Sequence, residues 1–353
     1  MKDHAFFILI LSFFILASCS QDESPQLADD WLIPKVEVLD GGPGKDGIPS
    51  VDAPSFSSVA EIDFLDDTDL VIGVKVGDDI RAYPHPILDW HEIVNDAPGG
   101  KPLAITYCPL TGTGIAWDRM INGQETTFGV SGLLYNTNLI PYDRATDSNW
   151  SQMLLQSVNG ENSGQSIPTY PIIETTWASW KAMFPNSLVQ NTTTGFDRDY
   201  NVYPYGDYRT NDSFILFPIS TDDSRLPRKD RGLGVIIQGE AKFYPVQSFT
   251  DGNTATIIKY DEWQGKQLVI IGSQSANFMM AFERNLADGT VLEFTPNSEL
   301  SDIIATDQEG NEWNIFGEAV SGPRAGTQLQ IPTSFMGYWF AFGTFYPELE
   351  IGD

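Results

Sequence analysis

The chain has 353 residues, of which 41% are hydrophobic and 12% aromatic, and its formal net charge is −28. That apolar content is enough to bury a core and excludes a disordered acidic tail. The charge excludes nucleic acid and anionic lipid headgroups as partners, because both repel an acidic surface.

At the N-terminus, Lys2 precedes an apolar run over residues 5–16. The run has signal-peptide length and is too short to span a bilayer as a helix. It ends in Leu16-Ala17-Ser18-Cys19, which resembles a bacterial lipobox. The expectation is a signal peptide over residues 1–18, cleavage before Cys19, a diacylglycerol on its thiol and a palmitate-type lipid anchor. Residues 19–54 then form a tether that opens on the polar stretch 20–26. The implied location is the cell envelope, on the periplasmic or surface-exposed side of the outer membrane, with the membrane reached only through lipid. The acidic residues are scattered and none of them makes the EF-hand calcium pattern.

The chain then repeats itself. Gly73-Val74 with Arg81-Ala82-Tyr83-Pro84 returns as Gly234-Val235 with Lys242-Phe243-Tyr244-Pro245. Ala116-Trp117-Asp118-Arg119 returns as Ala281-Phe282-Glu283-Arg284, Trp150 as Trp313, and Trp177 as Trp339. Matches that keep their order over so long a stretch predict an internal duplication. The expected architecture is a β-rich α+β fold of two tandem homologous domains, related by a pseudo-twofold axis, with one main helix each. The first spans residues 55–187, an interdomain segment spans 188–220, and a second, degenerate domain spans 221–353.

Within the first copy, Leu70 to Val76 and Ile80 to Tyr83 flank Gly77-Asp78-Asp79, a hairpin signal. Leu103 to Tyr107, Gly114 to Asp118 and Thr126 to Val130 read as strands, with Asn122-Gly123 as a turn. Thr176 to Met183 reads as a helix capped by Thr175 or Thr176. Its second-copy equivalent carries Tyr338, Trp339 and Phe342, which read as core.

The chemistry should lie where the copies differ. With Cys19 committed to lipid, Cys108 is the only remaining thiol. His4 leaves with the signal, so only His85 and His91 remain. Position 108 maps onto Ser273, and nothing in the second copy replaces His91. The first copy should therefore carry the site and the second should act as scaffold. Two strands joined by the Asn95–Lys101 loop would set His91 beside Cys108, within about 4 Å for a nucleophile and its base. Pro109 holds Cys108 extended, while Gly112 and Gly114 let backbone N–H groups turn toward a thiolate.

A Cys–His pair is either a nucleophile with its base, Glu92 or Asp89 orienting the imidazole, or two soft ligands for copper or zinc. His85 is a weaker third ligand, and Met153 or Gln152 would be axial in a blue-copper set. Against both stands a buried cysteine that only fills space. Tyr107, Thr111, Tyr135, Asn136, Asp143, Arg144, Trp150 and Gln152 are the polar or aromatic residues expected to line the same cleft. Asp143 and Arg144 also read as a plain ion pair.

The motifs Trp90-His91-Glu92-Ile93-Val94-Asn95-Asp96, Tyr107-Cys108-Pro109-Leu110 and Phe128-Gly129-Val130-Ser131-Gly132-Leu133-Leu134-Tyr135-Asn136 resemble the bacterial family called domain of unknown function 3179. Tyr142-Asp143-Arg144, Trp150-Ser151-Gln152 and Asp199-Tyr200 with Pro204-Tyr205 extend the resemblance. It implies a second cysteine in some members where this chain has Thr111, which argues against dithiol redox cycling here. His85 is outside the family's motifs, which weakens a two-histidine copper site. No activity follows from the resemblance.

Three classes therefore stay open. One is a metal, redox or thiol-dependent hydrolase or transferase site at His91 and Cys108. Another is a module binding a glycan or an envelope protein through the polar-aromatic stretch 197–208, whose plainer reading is an interdomain strap. The last is a purely structural envelope lipoprotein.

Overall fold

The computed structural model describes residues 31–250 and 255–352. The signal peptide and Cys19 lie outside the described residues. Strands dominate, and three short α-helices occur among the described residues. The β-rich α+β class is thus what the alternating sequence patterns predict.

In the first half, β1 (Leu70–Val76) and β2 (Asp79–Pro84) form the expected hairpin. Gly77, with φ of 59°, takes the left-handed position that a Cβ would oppose. Next come α1 (His85–His91), β3 (Ile93–Asp96), β4 (Leu103–Cys108) and β5 (Thr113–Asp118). A hairpin of β6 (Phe128–Tyr135) and β7 (Asn138–Asp143) follows, then β8 (Ile173–Thr176), α2 (Trp177–Met183) and β9 (Leu188–Gln190). Helix α2 is the predicted one, and Thr176 caps it by accepting from the Ser179 backbone N–H.

Helix α1 was not expected. It has about two turns, with Pro86 in the first. Seven residues are too few to show a helical repeat, and proline is well tolerated at that position.

The second half contributes β10 (Arg231–Ile237), β11 (Glu240–Pro245), β12 (Ile257–Trp263), β13 (Lys266–Ser273), β14 (Phe278–Glu283), β15 (Thr333–Tyr338), α3 (Trp339–Phe345) and β16 (Glu350–Ile351). The first sheet has the order β8-β1-β2-β9, with Phe56–Ser58 added at its edge. The corresponding second-half sheet has the order β15-β10-β11-β16. In each, the first three strands are antiparallel and the last joins in parallel.

Matching contacts recur in detail. A Cβ on Gly73 would meet the Trp180 ring at 2.0 Å, and one on Gly234 would meet the Phe342 ring at 1.9 Å. Each helix thus presses an aromatic ring into a bare glycine of its sheet. Tyr83 Oη donates to Asp96 at 2.6 Å, and Tyr244 Oη donates to Asp261 at 2.7 Å. Trp150 Nε1 donates to Asp143 at 2.9 Å, and Trp313 Nε1 to Asp307 at 2.8 Å.

Two of the hydrophobic cores bridge the halves. One joins Trp117, Phe128 and Trp150 to Trp339, Phe342 and Phe345 of α3. Another joins Trp177 and Trp180 of α2 to Val269, Phe278 and Phe282. The backbones also exchange bonds reciprocally. Thr176 N–H donates to Ala276 O at 3.0 Å, and Tyr338 N–H donates to Thr111 O at 2.9 Å. Each half would expose a large apolar face without the other. Burial of one such aromatic side chain contributes about 1.5–3 kcal/mol.

Candidate functional site

The chain neighbours of His91 and Cys108 are joined by a Tyr107 N–H bond to Glu92 O at 2.7 Å, but the two side chains face different partners. β3 pairs with β4, and Ile93 lies opposite Thr106, so the expected pair of strands exists. His91 is not on it, however. It is the last residue of α1, and Glu92 then takes the left-handed conformation (φ 57°, ψ −29°) that turns the chain into β3.

The imidazole is buried between Pro49 O, 2.7 Å from Nδ1, and Tyr200 Oη, 2.8 Å from Nε2. A carbonyl can only accept, so Nδ1 carries the proton and Nε2 accepts from the Tyr200 hydroxyl. No lone pair is left for a metal or for a thiol proton. Burial also lowers the His91 pKa.

The Cys108 thiol instead points at Thr137 O, 3.7 Å away. Burial, and next the Glu92 carboxyl, push its pKa up to about 11, the reverse of the thiolate expected. The Thr111 and Gly112 N–H groups donate to the Cys108 backbone carbonyl, and the Thr111 and Leu139 groups near the sulfur only partly offset its burial. Among the described residues, no group of three or more His, Cys, Asp or Glu side chains is placed to hold a metal.

Most of the other expected cleft residues have architectural partners. Thr111, Thr113, Asn138 and Gln152 form a buried neutral network, with Gln152 Oε1 accepting from Thr113 at 2.7 Å and from Asn138 at 2.8 Å. Gln152 is thus no axial ligand, and Met153 is fully buried in the first core. Asp143 and Trp150 satisfy one another, as Asp307 and Trp313 do in the second half. Arg144 does not pair with Asp143. It reaches Asp52, at 3.0 Å, and Ser50, at 2.9 Å, and so ties down the segment before β1. Tyr135 packs edge-on to Phe345, and Asn136 Oδ1 accepts from Ser220 N–H at 2.8 Å.

Of the predicted lining residues, Tyr107 leads somewhere else. Its ring lies 4.2 Å from that of His85, in a buried ionisable cluster that sequence reasoning did not assemble. Glu174, on β8, forms an ion pair with Arg231, on β10, and its Oε1 is 3.4 Å from His85 Nε2. Tyr338 flanks the cluster, and its phenol pKa is raised to about 12, mainly by burial. Burial, then Arg231 and Arg209, hold His85 well below the usual imidazole range, so it is neutral. Asp89, one turn along α1, pairs with Arg209 at 2.7 Å. Burial nonetheless raises its pKa to about 7.

Four buried polar atoms here lack a partner: His85 Nε2, Asp89 Oδ1, Glu174 Oε2 and Arg231 Nε. Since a buried polar group without a partner is costly, such a concentration marks a site more often than a packing defect. The cluster draws Arg231 and Tyr338 from the second half, which therefore is not a bare scaffold for it.

Residues 197–217 roof this region. Tyr200 and Tyr208 are buried, with Tyr208 Oη donating to Leu110 O at 3.0 Å, and Trp90 Nε1 donates to Val202 O at 3.0 Å. Arg209 stacks on the Tyr203 ring at 3.6 Å. The stretch is thus a strap whose tyrosines face inward. Beside it opens a cleft of about 300 Å³, lined among others by Asp66, Asp69, Asp89, Asn201, Tyr203 and Arg209. A smaller cavity of about 100 Å³ lies farther along the strap, with Glu92 in its wall.

The protein is β-rich, with a buried ionisable cluster under a tyrosine strap where its two halves meet. The chain belongs to the family described as "Protein of unknown function (DUF3179)", whose model matches residues 45–349. No curated protein and no solved structure matches it.

Proposed function

We propose that this protein is an exported, lipid-anchored envelope protein, built by duplication, that binds a small polyhydroxylated ligand such as a glycan end. The ligand would sit in the cleft beside the strap. The observation that carries this reading is the Asp89–Arg209 pair in the cleft wall. Asp89 is almost fully buried, one oxygen is held by Arg209, and the other has no partner. Neighbouring carboxylates, an arginine fork and a tyrosine ring supply the acceptors, donors and stacking face that hydroxyl-rich molecules use.

The duplication is supported by the repeated motifs, the shared strand order and the reciprocal backbone bonds. Under it, residues 55–187 and 221–353 are homologous units joined by the strap-bearing segment. Export and acylation rest on residues 1–26, and Cys19→Ser would abolish labelling by radioactive palmitate in cells. Among the described residues no helix is long and apolar enough to cross a membrane.

The binding test is calorimetry of the mature protein against a panel of neutral mono- and disaccharides. Binding by at least one sugar, lost by tenfold or more in Asp89→Asn, is the expected result. Failure of every sugar, or equal binding by Asp89→Asn, would remove the reading.

A further inference from the structure

A second site lies under the other end of the strap. The cavity of about 100 Å³ is walled by Ile48, Leu110, Val130, Leu134, Tyr205 and Phe217, all apolar or aromatic, with the single exception of Glu92. Nothing in the notional chemistry of a packed core needs a carboxyl there. Among the described residues its one side-chain hydrogen bond is long, accepted from Tyr205 Oη at 3.5 Å. No Lys or Arg side chain makes an ion pair with it among the described residues, whereas nearby Asp89 is paired with Arg209. Its backbone is held at φ 57°, a conformation that a residue with a Cβ seldom adopts. The fold thus holds a carboxyl in the wall of an apolar chamber and gives it no cation.

We propose that this chamber binds a small organic ammonium ion, a primary amine on a short apolar body, with Glu92 as its counter-charge. The body would occupy the space among Leu110, Val130 and Leu134. The ammonium group would pair with the carboxylate and lie against the Tyr205 and Phe217 rings, whose faces attract cations. A charge pair formed out of water is strong only when both partners are supplied, and here the protein supplies one. The volume limits the guest to a few heavy atoms. Of its lining residues, Pro43 from the segment before β1 and Leu216 from the strap are exposed, so the chamber lies next to solvent on that side.

This site is separate from the hydroxyl-binding cleft, and neither depends on the other. The test is titration calorimetry of the mature protein at pH 8 with butylammonium chloride, with 1-butanol as the neutral isostere. Saturable binding of the ammonium at least tenfold tighter than the alcohol is expected. Glu92→Gln should abolish that preference, and because it removes an unpaired buried charge it should fold at least as well as the parent. Leu216→Trp, at an exposed position of the chamber wall, should block both probes while leaving Glu92 in place. Equal affinity for ammonium and alcohol, unchanged ammonium binding by Glu92→Gln, or no binding by the parent at millimolar concentrations would each overturn the proposal.

Discussion

The two ends of the junction between the halves share a backbone and differ in charge. At one end stand His85, Tyr107, Glu174, Arg231 and Tyr338. At the aligned positions of the other end stand Val246, Gly272, Met336, Leu70 and Thr176. The registers agree: Arg231 lies opposite Tyr338 on β10 and β15, as Leu70 lies opposite Thr176 on β1 and β8. Val246 and Met336 belong to an ordinary apolar core with Leu233 and Phe249. The same frame is therefore stable without any ionisable group. The charged version carries buried polar atoms without hydrogen-bond partners, which the Val246–Met336 core avoids, so stability alone does not explain it.

The largest expected effect comes from moving one end toward the other by a single residue. Arg231→Leu installs the counterpart residue but strands Glu174, which is buried and otherwise has only neutral His85 beside it. Breaking a buried pair in this way costs about 3–5 kcal/mol. The double variant Arg231→Leu, Glu174→Met copies the apolar end and should recover more than half of that loss in urea denaturation. If the double variant is as unstable as the single, the two ends are not interchangeable and the comparison fails.

The shared frame can be tested on its own. Gly73→Ala and Gly234→Ala each drive a methyl group into an aromatic ring of the helix above, Trp180 or Phe342. Overpacking of this kind costs about 1–3 kcal/mol. The two losses should agree within about 1 kcal/mol, measured as urea midpoints under one m-value. A large effect at one glycine and none at the other would break the equivalence of the two sheets.

Glu92→Gln should raise the melting temperature, and by an amount that depends on pH. Burial raises the Glu92 pKa from 4.5 to about 7. The folded protein thus holds this proton more tightly than the unfolded chain. The stability it contributes is full below about pH 4.5 and is lost as pH rises through 7. The advantage of the glutamine variant should accordingly grow from pH 4.5 to 7 and level off above. A pH-independent difference would show that Glu92 does not titrate as its burial dictates.

Much of this was legible in the sequence, for identifiable reasons. The β1–β2 hairpin, β4 and β5 follow from alternation and from Gly77, and α2 follows from Thr176. The ionisable cluster was missed although its signal was present. The rule that chemistry lies where the two halves differ points to His91 and Cys108 by their rarity. Applied position by position, it also selects His85 against Val246, Glu174 against Met336 and Arg231 against Leu70. What no pattern could give is the direction of a side chain after an irregular backbone step. Glu92 in a left-handed conformation ends α1 and turns the chain into β3, leaving His91 on the helix against Tyr200, and a residue other than glycine at such a position carries no sequence mark.

The smallest effect should come from Cys108→Ser, which again installs the counterpart residue, Ser273. Scarcity made this thiol the leading candidate in the sequence, and its surroundings argue the other way. It is 1% exposed, its proton has Thr137 O to point at, and its pKa is pushed up to about 11. A thiolate is the reactive species, so at pH 8 almost none is available, and burial bars reagents from what there is. A hydroxyl is smaller than a thiol but can donate to the same carbonyl, so the cost should be on the order of 1 kcal/mol. Ligand binding at either proposed site should be unchanged. In the parent, labelling by iodoacetamide at pH 8 should become measurable only in denaturant. Rapid labelling of the folded protein would mean that Cys108 is open to solvent and ionised, and would return it to the position that its rarity first suggested.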